Sequence, residues 1–340
     1  MALLFMEGFE NYSTVTELYQ DPRFFSDFNG GDPVFESGRV SGQSLRFDND
    51  GESVGCYLPQ DSTATIYGGF GFKYVQTNIV QIISFSDSSN GEIFDIEFVV
   101  SGPTVTLAIK NGATTLAETS PLSASTWYHI GFKVLMSDTV GTAAIYVDGV
   151  LDDSNTGLDT SANGSTAVNR FAFHGGVNHD INFDDVYIGD DSGSDMTDIV
   201  GDLFIEQLVP DGVGSSTQFT PSVGSNYQNV DDTTPDDDTT YNESSTSGHK
   251  DLFTAANLSQ PVNTVYAVQI SSKFNKQQAG TRTFRNKVLS NVTEGNGATV
   301  GMRYQSYSYK TDLFENDPDT SSAWTESGVN AMEVGYEVVS

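Results

Sequence analysis

Hydrophobic and polar residues alternate with period two over Thr126–Met136. Tyr128, Ile130, Phe132, Val134 and Met136 share one face, while Trp127, His129, Lys133 and Leu135 lie on the other. Such alternation predicts a β-strand with one side on a core and the other largely wet. Similar runs predict strands at Ser44–Asp48, Ser53–Leu58, Ala64–Val75, Ile79–Phe85, Glu92–Val100, Thr104–Ile109, Arg170–His174 and Ile181–Ile188. Two hairpins are marked by their turns. Asn111-Gly112 leads into Thr115–Glu118, and Asp148-Gly149 joins Ala143–Val147 to Val150–Leu151, each pair suited to the positive φ angles of a type I′ turn. One early helix is expected at Ser13–Tyr19, capped by Ser or Thr with Glu17 in its first turns. Later strands are expected at Val262–Phe274, where Thr264, Tyr266, Val268, Ile270 and Phe274 are in phase, and at Thr281–Leu289, Ala298–Tyr309 and Glu333–Val339. Thr325–Met332 reads as one or two helical turns.

Glycine, at 33 copies, breaks the chain into short runs rich in Val, Ile, Phe and Tyr, the pattern of an antiparallel all-β protein. The pattern changes after about residue 210. Residues 211–250 are nearly devoid of aliphatic side chains, and five aspartates fall within Asp231–Asp238, so this stretch cannot order itself by apolar burial. The expected organisation is therefore a sandwich over 1–200, an acidic Gly/Ser/Asp-rich connecting segment over 201–240 lying along a surface, and a β-rich domain over 241–340. Neutralisation of the aspartates is expected from a cation or from basic residues, with Arg282, Arg285 and Lys287 as the plausible partners.

Composition narrows the function classes. Fifteen Lys and Arg stand against 46 Asp and Glu in 340 residues, a formal net charge of −31. That balance excludes general nucleic-acid binding, which needs cations to neutralise phosphates, and disfavours an anionic membrane surface. Twenty-two Phe and 15 Tyr supply core side chains, so the chain is not a disordered acidic tail. A single cysteine, Cys56, excludes an intramolecular disulfide framework and a cysteine-built metal site. MALLFMEGFENY has a six-residue apolar run and no basic start, so no signal peptide or membrane anchor is expected, and synthesis in the cytosol is.

The opening LLFMEGFENY, GRVSGQSLRF at Gly38–Phe47, TWYHIGFKV at Thr126–Val134, AAIYVDGV at Ala143–Val150 and FDDVYIGDDSGS at Phe183–Ser194 together resemble the concanavalin A-like (laminin G-like) jelly-roll sandwiches of bacteriophage structural proteins. GDLFIEQLVPDG at Gly201–Gly212, the aspartate-rich stretch to Tyr241 and the closing PDTSSAWTESGVNAMEVGYEVV resemble the extension such proteins carry. The resemblance implies an all-β chain, a concanavalin A-like jelly-roll sandwich followed by a smaller β-sandwich-like domain. It also implies a virion component, assembled in the host cytoplasm, with no defined catalytic set. The expected partners are other virion proteins, copies of the chain itself and a host-surface glycan, with no nucleic acid and no membrane insertion. A tail-associated fibre, appendage or adaptor-attached protein is the leading expectation. A head decoration or cement protein and a glycan hydrolase are the alternatives. Tyr304, Tyr307 and Tyr309 read as exposed aromatics of a docked part.

Four groups carry candidate chemistry. Trp127 and His129 share the face opposite the core, where a ring can stack on a sugar, although a loop or subunit covering Trp127 and a surface position for His129 explain them equally without a ligand. Asp190, Asp191 and Asp195 on a Ser/Gly turn supply hard oxygen donors of the type Ca²⁺ takes, without the spacing of an EF-hand loop; a solvated turn is the plain alternative. In Phe183-Asp184-Asp185-Val186-Tyr187, Asp185 is expected on the face of Phe183 and Tyr187, accepting hydrogen bonds from a neighbouring loop. Of Glu92, Asp95 and Glu97, the last two share a strand face with Ile93, a carboxylate pair two residues apart of the kind retaining glycosidases use; an outward, solvated face is the competing account. No HExxH or Walker sequence occurs.

Overall fold

The structure, a computed structural model, describes residues 2–26, 32–49, 51–76, 81–102, 104–175, 180–193 and 196–340. Strand makes up 50% and helix 4%, which settles the all-β class. The chain divides into two compact units, the first made of residues 1–9, 14–19 and 23–205, the second of 10–13, 20–22 and 206–340.

In the first unit the strands are β1 (Leu3–Glu7), β2 (Phe24–Ser26), β3 (Val34–Ser37), β4 (Gln43–Phe47), β5 (Ser53–Tyr57), β6 (Thr65–Gln76), β7 (Gln81–Ser86) and β8 (Glu92–Ser101). They continue as β9 (Thr104–Asn111), β10 (Thr114–Glu118), β11 (Tyr128–Leu135), β12 (Gly141–Val147), β13 (Val150–Leu158), β14 (Arg170–His174) and β15 (Asp180–Asp190). An eight-stranded sheet runs β13-β12-β11-β6-β15-β4-β3, with β1 also on β15, and a seven-stranded sheet runs β10-β9-β8-β7-β14-β5-β2. Pairings such as β6 with β11 and β14 with β5 join distant parts of the chain in antiparallel fashion. With both sheets built this way and packed face to face, the unit is a jelly-roll sandwich.

The facing sides meet in an aromatic core. Phe85 stacks on Phe94 at 4.5 Å and meets Phe132 of the opposite sheet at 5.0 Å, while Phe173 meets Phe183 at 4.6 Å. Each fully buried ring contributes about 1.5–3 kcal/mol by leaving water. The β11 pattern holds from Ile130 to Met136, all buried, but Tyr128 is only half-buried, its hydroxyl accepting the Ser123 N–H at 3.0 Å.

Turn chemistry holds in one hairpin and shifts in the other. Asp148 and Gly149 have φ of 50° and 77°, as a type I′ turn between β12 and β13 requires. After β9 only Gly112 is left-handed, at 55°; the two-residue loop is Gly112-Ala113, one position later than expected, because Asn111 still pairs with Thr114. The early helix is shorter than expected, Val15–Leu18, with Thr14 as its cap accepting the Glu17 N–H at 3.3 Å. Among the described residues no helix is long and apolar enough to cross a membrane.

In the second unit a six-stranded sheet is ordered Pro210–Thr217, Lys250–Ala255, Glu333–Val338, Thr283–Ser290, Thr293–Asn296, with Val300–Gly301 also on Thr283–Ser290. A separate hairpin pairs Val268–Phe274 with Ser308–Phe314. Val268 and Ile270 of that hairpin cluster with Val288 of the sheet and with Trp324, Val329 and Met332, giving the smaller sandwich-like domain its core. The helix Glu326–Ala331 starts at the Thr325 cap, which accepts the Gly328 N–H at 3.0 Å. The expected strand Ala298–Tyr309 is broken: Gln305 is left-handed at φ 49°, and a regular strand resumes only at Ser308.

The segment 201–240 is not one connection. Its first residues belong to the jelly roll, and from Glu206 onward it is part of the second unit. Polar side chains order it where apolar ones are lacking. Buried Asp251 accepts the Gln218 and Phe219 N–H groups, and Asn226 donates to Asp251 at 2.6 Å. Asp237 pairs with Lys273 at 2.5 Å, the Tyr307 hydroxyl donates to Asp238 at 2.6 Å, and Thr240 donates to Asp236. The cation on the aspartate run is thus Lys273, whose ammonium also lies 5.2 Å from the Tyr307 ring. Arg285 and Lys287 instead bind Glu337, and Arg282 donates to the Ser245 carbonyl. Of the three tyrosines expected at the surface, only Tyr304 is exposed, at 52%; Tyr307 is half-buried and Tyr309 is buried.

Candidate functional site

Trp127 and His129 do not form one open site. Trp127, just before β11, is half-buried, and the Lys73 ammonium lies 4.9 Å from its ring centre. His129 is 1% exposed, a correction to the expected surface position. It lies on the outer face of the eight-stranded sheet, stacked on Tyr187 at 6.0 Å over Gly69, where any Cβ would collide with both rings. Burial, with the Arg39 cation as a smaller cause, pushes the imidazole down to about 4, so it is neutral. Both ring nitrogens are buried without a hydrogen-bond partner among the described residues.

The richest polar arrangement is on the outer face of the seven-stranded sheet, where register stacks side chains in rows. Tyr57, Arg170, Ser86 and Glu92 face one another across four strands, and the next row holds Gly55, Ala172, Ser84, Asp95 and Lys110. Beyond them Ser53 stands beside His174, and Glu97 beside Ala108. Gln81 donates through Nε2 to Glu92 at 2.8 Å and to Asp95 at 2.9 Å, and Lys110 holds Glu97 at 2.6 Å. His174 sits between two hydroxyls, Nε2 2.7 Å from Ser84 Oγ and Nδ1 3.3 Å from Ser53 Oγ. Burial pushes His174 down to about 4. Phe25 closes the β5 end of this face, tilted on Tyr57 at 4.4 Å and lying where a Gly55 side chain would be.

Asp95 and Glu97 face outward together as expected, and the bulge opposite Ser86 brings Glu92 to the same face, yet Asp95 is 3% exposed and Glu97 is buried, so the face is not solvated there. Burial pushes the Asp95 carboxyl up to about 7, reinforced by the Glu97 charge and opposed by Gln81. Its Oδ1 receives no hydrogen bond from a described donor. The sequence had flagged the three acids but not Gln81, Ser84, Lys110 or His174. Their alternation with core residues was visible; the strand order that gathers them was not.

The acidic turn after β15 is built as an acceptor of hydrogen bonds. Buried Asp190 takes the Thr63 N–H at 2.9 Å on one oxygen and the Ser192 N–H and hydroxyl at 3.0 and 2.5 Å on the other. Asp191 is exposed and accepts the Thr63 hydroxyl; Asp195 lies outside the described residues. A hard cation needs lone pairs where these donors point protons, and among the described residues no three His, Cys, Asp or Glu side chains gather around one point.

Asp185 does bind neighbouring loops, through the Ile205 N–H at 2.7 Å and Arg39 Nε at 2.8 Å. It does not share a face with both Phe183 and Tyr187. The register on β6 slips between Asp184 and Tyr187, with Asp185 left-handed at φ 48°, so Phe183 points into the core and Tyr187 out toward His129. Asp184 accepts the Arg39 N–H at 2.6 Å, and burial beside Asp185 pushes its carboxyl up to about 8.

No protein-family model and no curated protein matches the chain. Among solved structures, the alginate lyase Aly36B is similar at a TM-score of 0.40 and 14% identity, over 55% of this chain and 96% of that one. Domain 4 of AbnA, a GH43 extracellular arabinanase from Geobacillus stearothermophilus solved with arabinotriose, is similar at 0.37 and 16%, over 56% and 92%. Peanut lectin with a nine-residue peptide is similar at 0.33 and 12%, over 55% and 97%.

Proposed function

We propose that this chain is a non-enzymatic structural protein of a bacteriophage virion, tail-associated and present as a homo-oligomer or repeated copy, whose jelly roll contacts host-surface glycans. The observation that supports the non-enzymatic part is that most of the polar groups on the outer face of the seven-stranded sheet are bonded to one another. Lys110 neutralises Glu97, Gln81 bridges Glu92 and Asp95, and two serines hold His174. Groups arranged in this way can recognise hydroxyls by hydrogen bonding. Half-exposed Trp127 supplies a ring for stacking. The order of motifs quoted from the sequence supports the placement in a virion. Labelling the protein in purified particles, with a glycan panel on the isolated chain, tests the proposal. Label on the tail and glycan binding weakened by Trp127→Ala are expected. Label over the whole head lattice assigns a decoration role instead, and absence from every particle refutes the virion reading.

A glycan hydrolase is the second reading, favoured by one observation: a carboxyl pushed up to about 7 at Asp95 is protonated often enough at neutral pH to serve as a general acid. Release of reducing ends from a glycan panel, abolished by Asp95→Asn, would establish it. No release from any substrate removes it.

A further inference from the structure

Residues 196–205 cross the outer face of the eight-stranded sheet without forming strand or helix. They form no backbone ladder, and their anchors include a series of bonds to side chains. The Tyr67 hydroxyl donates to the Met196 carbonyl, Lys133 pairs with Asp198 at 2.8 Å, and the Val200 N–H reaches the Tyr187 hydroxyl at 3.4 Å. Arg39 holds Asp202 at 2.9 Å and donates to the Leu203 carbonyl, and the Ile205 N–H is accepted by Asp185 at 2.7 Å. Ile199 fills the space over Gly131, and Gly201 is left-handed at φ 83°. On the same face lies His129, buried, neutral and with neither ring nitrogen partnered among the described residues.

A buried polar group without a partner is stabilised by any motion that readmits water. A segment outside any sheet, held in large part by single side-chain bonds, opens with less loss than a sheet edge does. We infer that residues 196–205 are a detachable strap, which lifts from the intact sandwich as one piece and uncovers His129, Tyr187 and Arg39 over the glycines of β6. Two ends hold it, Met196 on Tyr67 and Ile205 on Asp185, and Arg39 clamps the middle. The unsatisfied imidazole beneath it sets the tension between closed and open forms. This inference is independent of the virion assignment, since it rests on residues of the jelly roll alone.

Amide hydrogen exchange on the full chain tests it. Val200 and Ile205 are expected to exchange at least about a hundredfold faster than Phe94 and Phe132, and with opening constants equal to each other within about threefold, as for one cooperative piece. His129→Leu, which removes the unsatisfied nitrogens, is expected to slow both amides about tenfold. Asp202→Asn, which weakens the Arg39 clamp at an exposed position, is expected to speed both. Exchange of the two amides at the core rate would overturn the strap. So would rates in His129→Leu that equal those of the wild type, or an Asp202→Asn effect on one amide alone.

Discussion

Asp95 and the two histidines His129 and His174 are shifted in opposite senses, and the signs are testable separately. A carboxyl raised from 3.8 to about 7 in the folded chain favours the fold fully below its ordinary value and loses that contribution as pH rises through about 7. Asp95→Asn, which can still accept from Gln81 and now donates toward Glu97, is expected to be more stable than wild type at pH 8 by on the order of 1 kcal/mol, with little difference at pH 4. Urea midpoints across that range check it; parallel curves would show that Asp95 is not the responsible group. His129 and His174 are depressed from 6.5 to about 4, so their contribution is complete above 6.5 and lost as pH falls toward 4. His174→Gln, keeping one partner for the serines, is expected to flatten that acid limb by about 1–3 kcal/mol. Acid melts of the two proteins would reveal it.

At the scale of elements, the strand Thr283–Ser290 carries a buried cation. Lys287 is buried with its ammonium between Glu337 at 2.9 Å, Glu294 at 2.7 Å and Asn296 at 2.7 Å. Lys287→Met leaves two carboxylates with only Arg285 and Lys250, and is expected to destabilise the protein by about 2 kcal/mol, read as a lower denaturant midpoint. Why some elements were legible and others not follows from where their causes lie. β11 was legible because Ile130, Phe132 and Val134 alternate within one strand, and the turn at Asp148-Gly149 because its two residues carry its geometry. The burial of His129 was not legible, since the chain that crosses its face lies some seventy residues downstream. Nor was the phase change in β15, which depends on one left-handed aspartate held by Arg39 and the Ile205 amide. The gathering of Asp95, Gln81, Ser84, His174 and Lys110 needed the strand order, which pattern alone does not contain.

For the molecule as a whole, a net charge of −31 makes self-repulsion the dominant long-range term. Raising ionic strength from about 10 to 150 mM shortens the screening length to about 8 Å, and is expected to raise the melting temperature and favour self-association. Light scattering with parallel melts across a salt series measures both, and a melting temperature that falls with salt would contradict it. One consequence of the tryptophan positions concerns light rather than charge. The chain has two tryptophans, one in each unit. Trp127 is half-buried beneath the Lys73 ammonium, whereas Trp324 is buried with its indole N–H donated to the Phe314 carbonyl at 2.9 Å. Their emission maxima should therefore differ, Trp324 bluer and Trp127 redder. With Trp127→Phe the second unit becomes the only indole emitter, and with Trp324→Phe the jelly roll does. Two single substitutions thus turn the intrinsic fluorescence into a separate gauge of each half of the chain, with no dye attached.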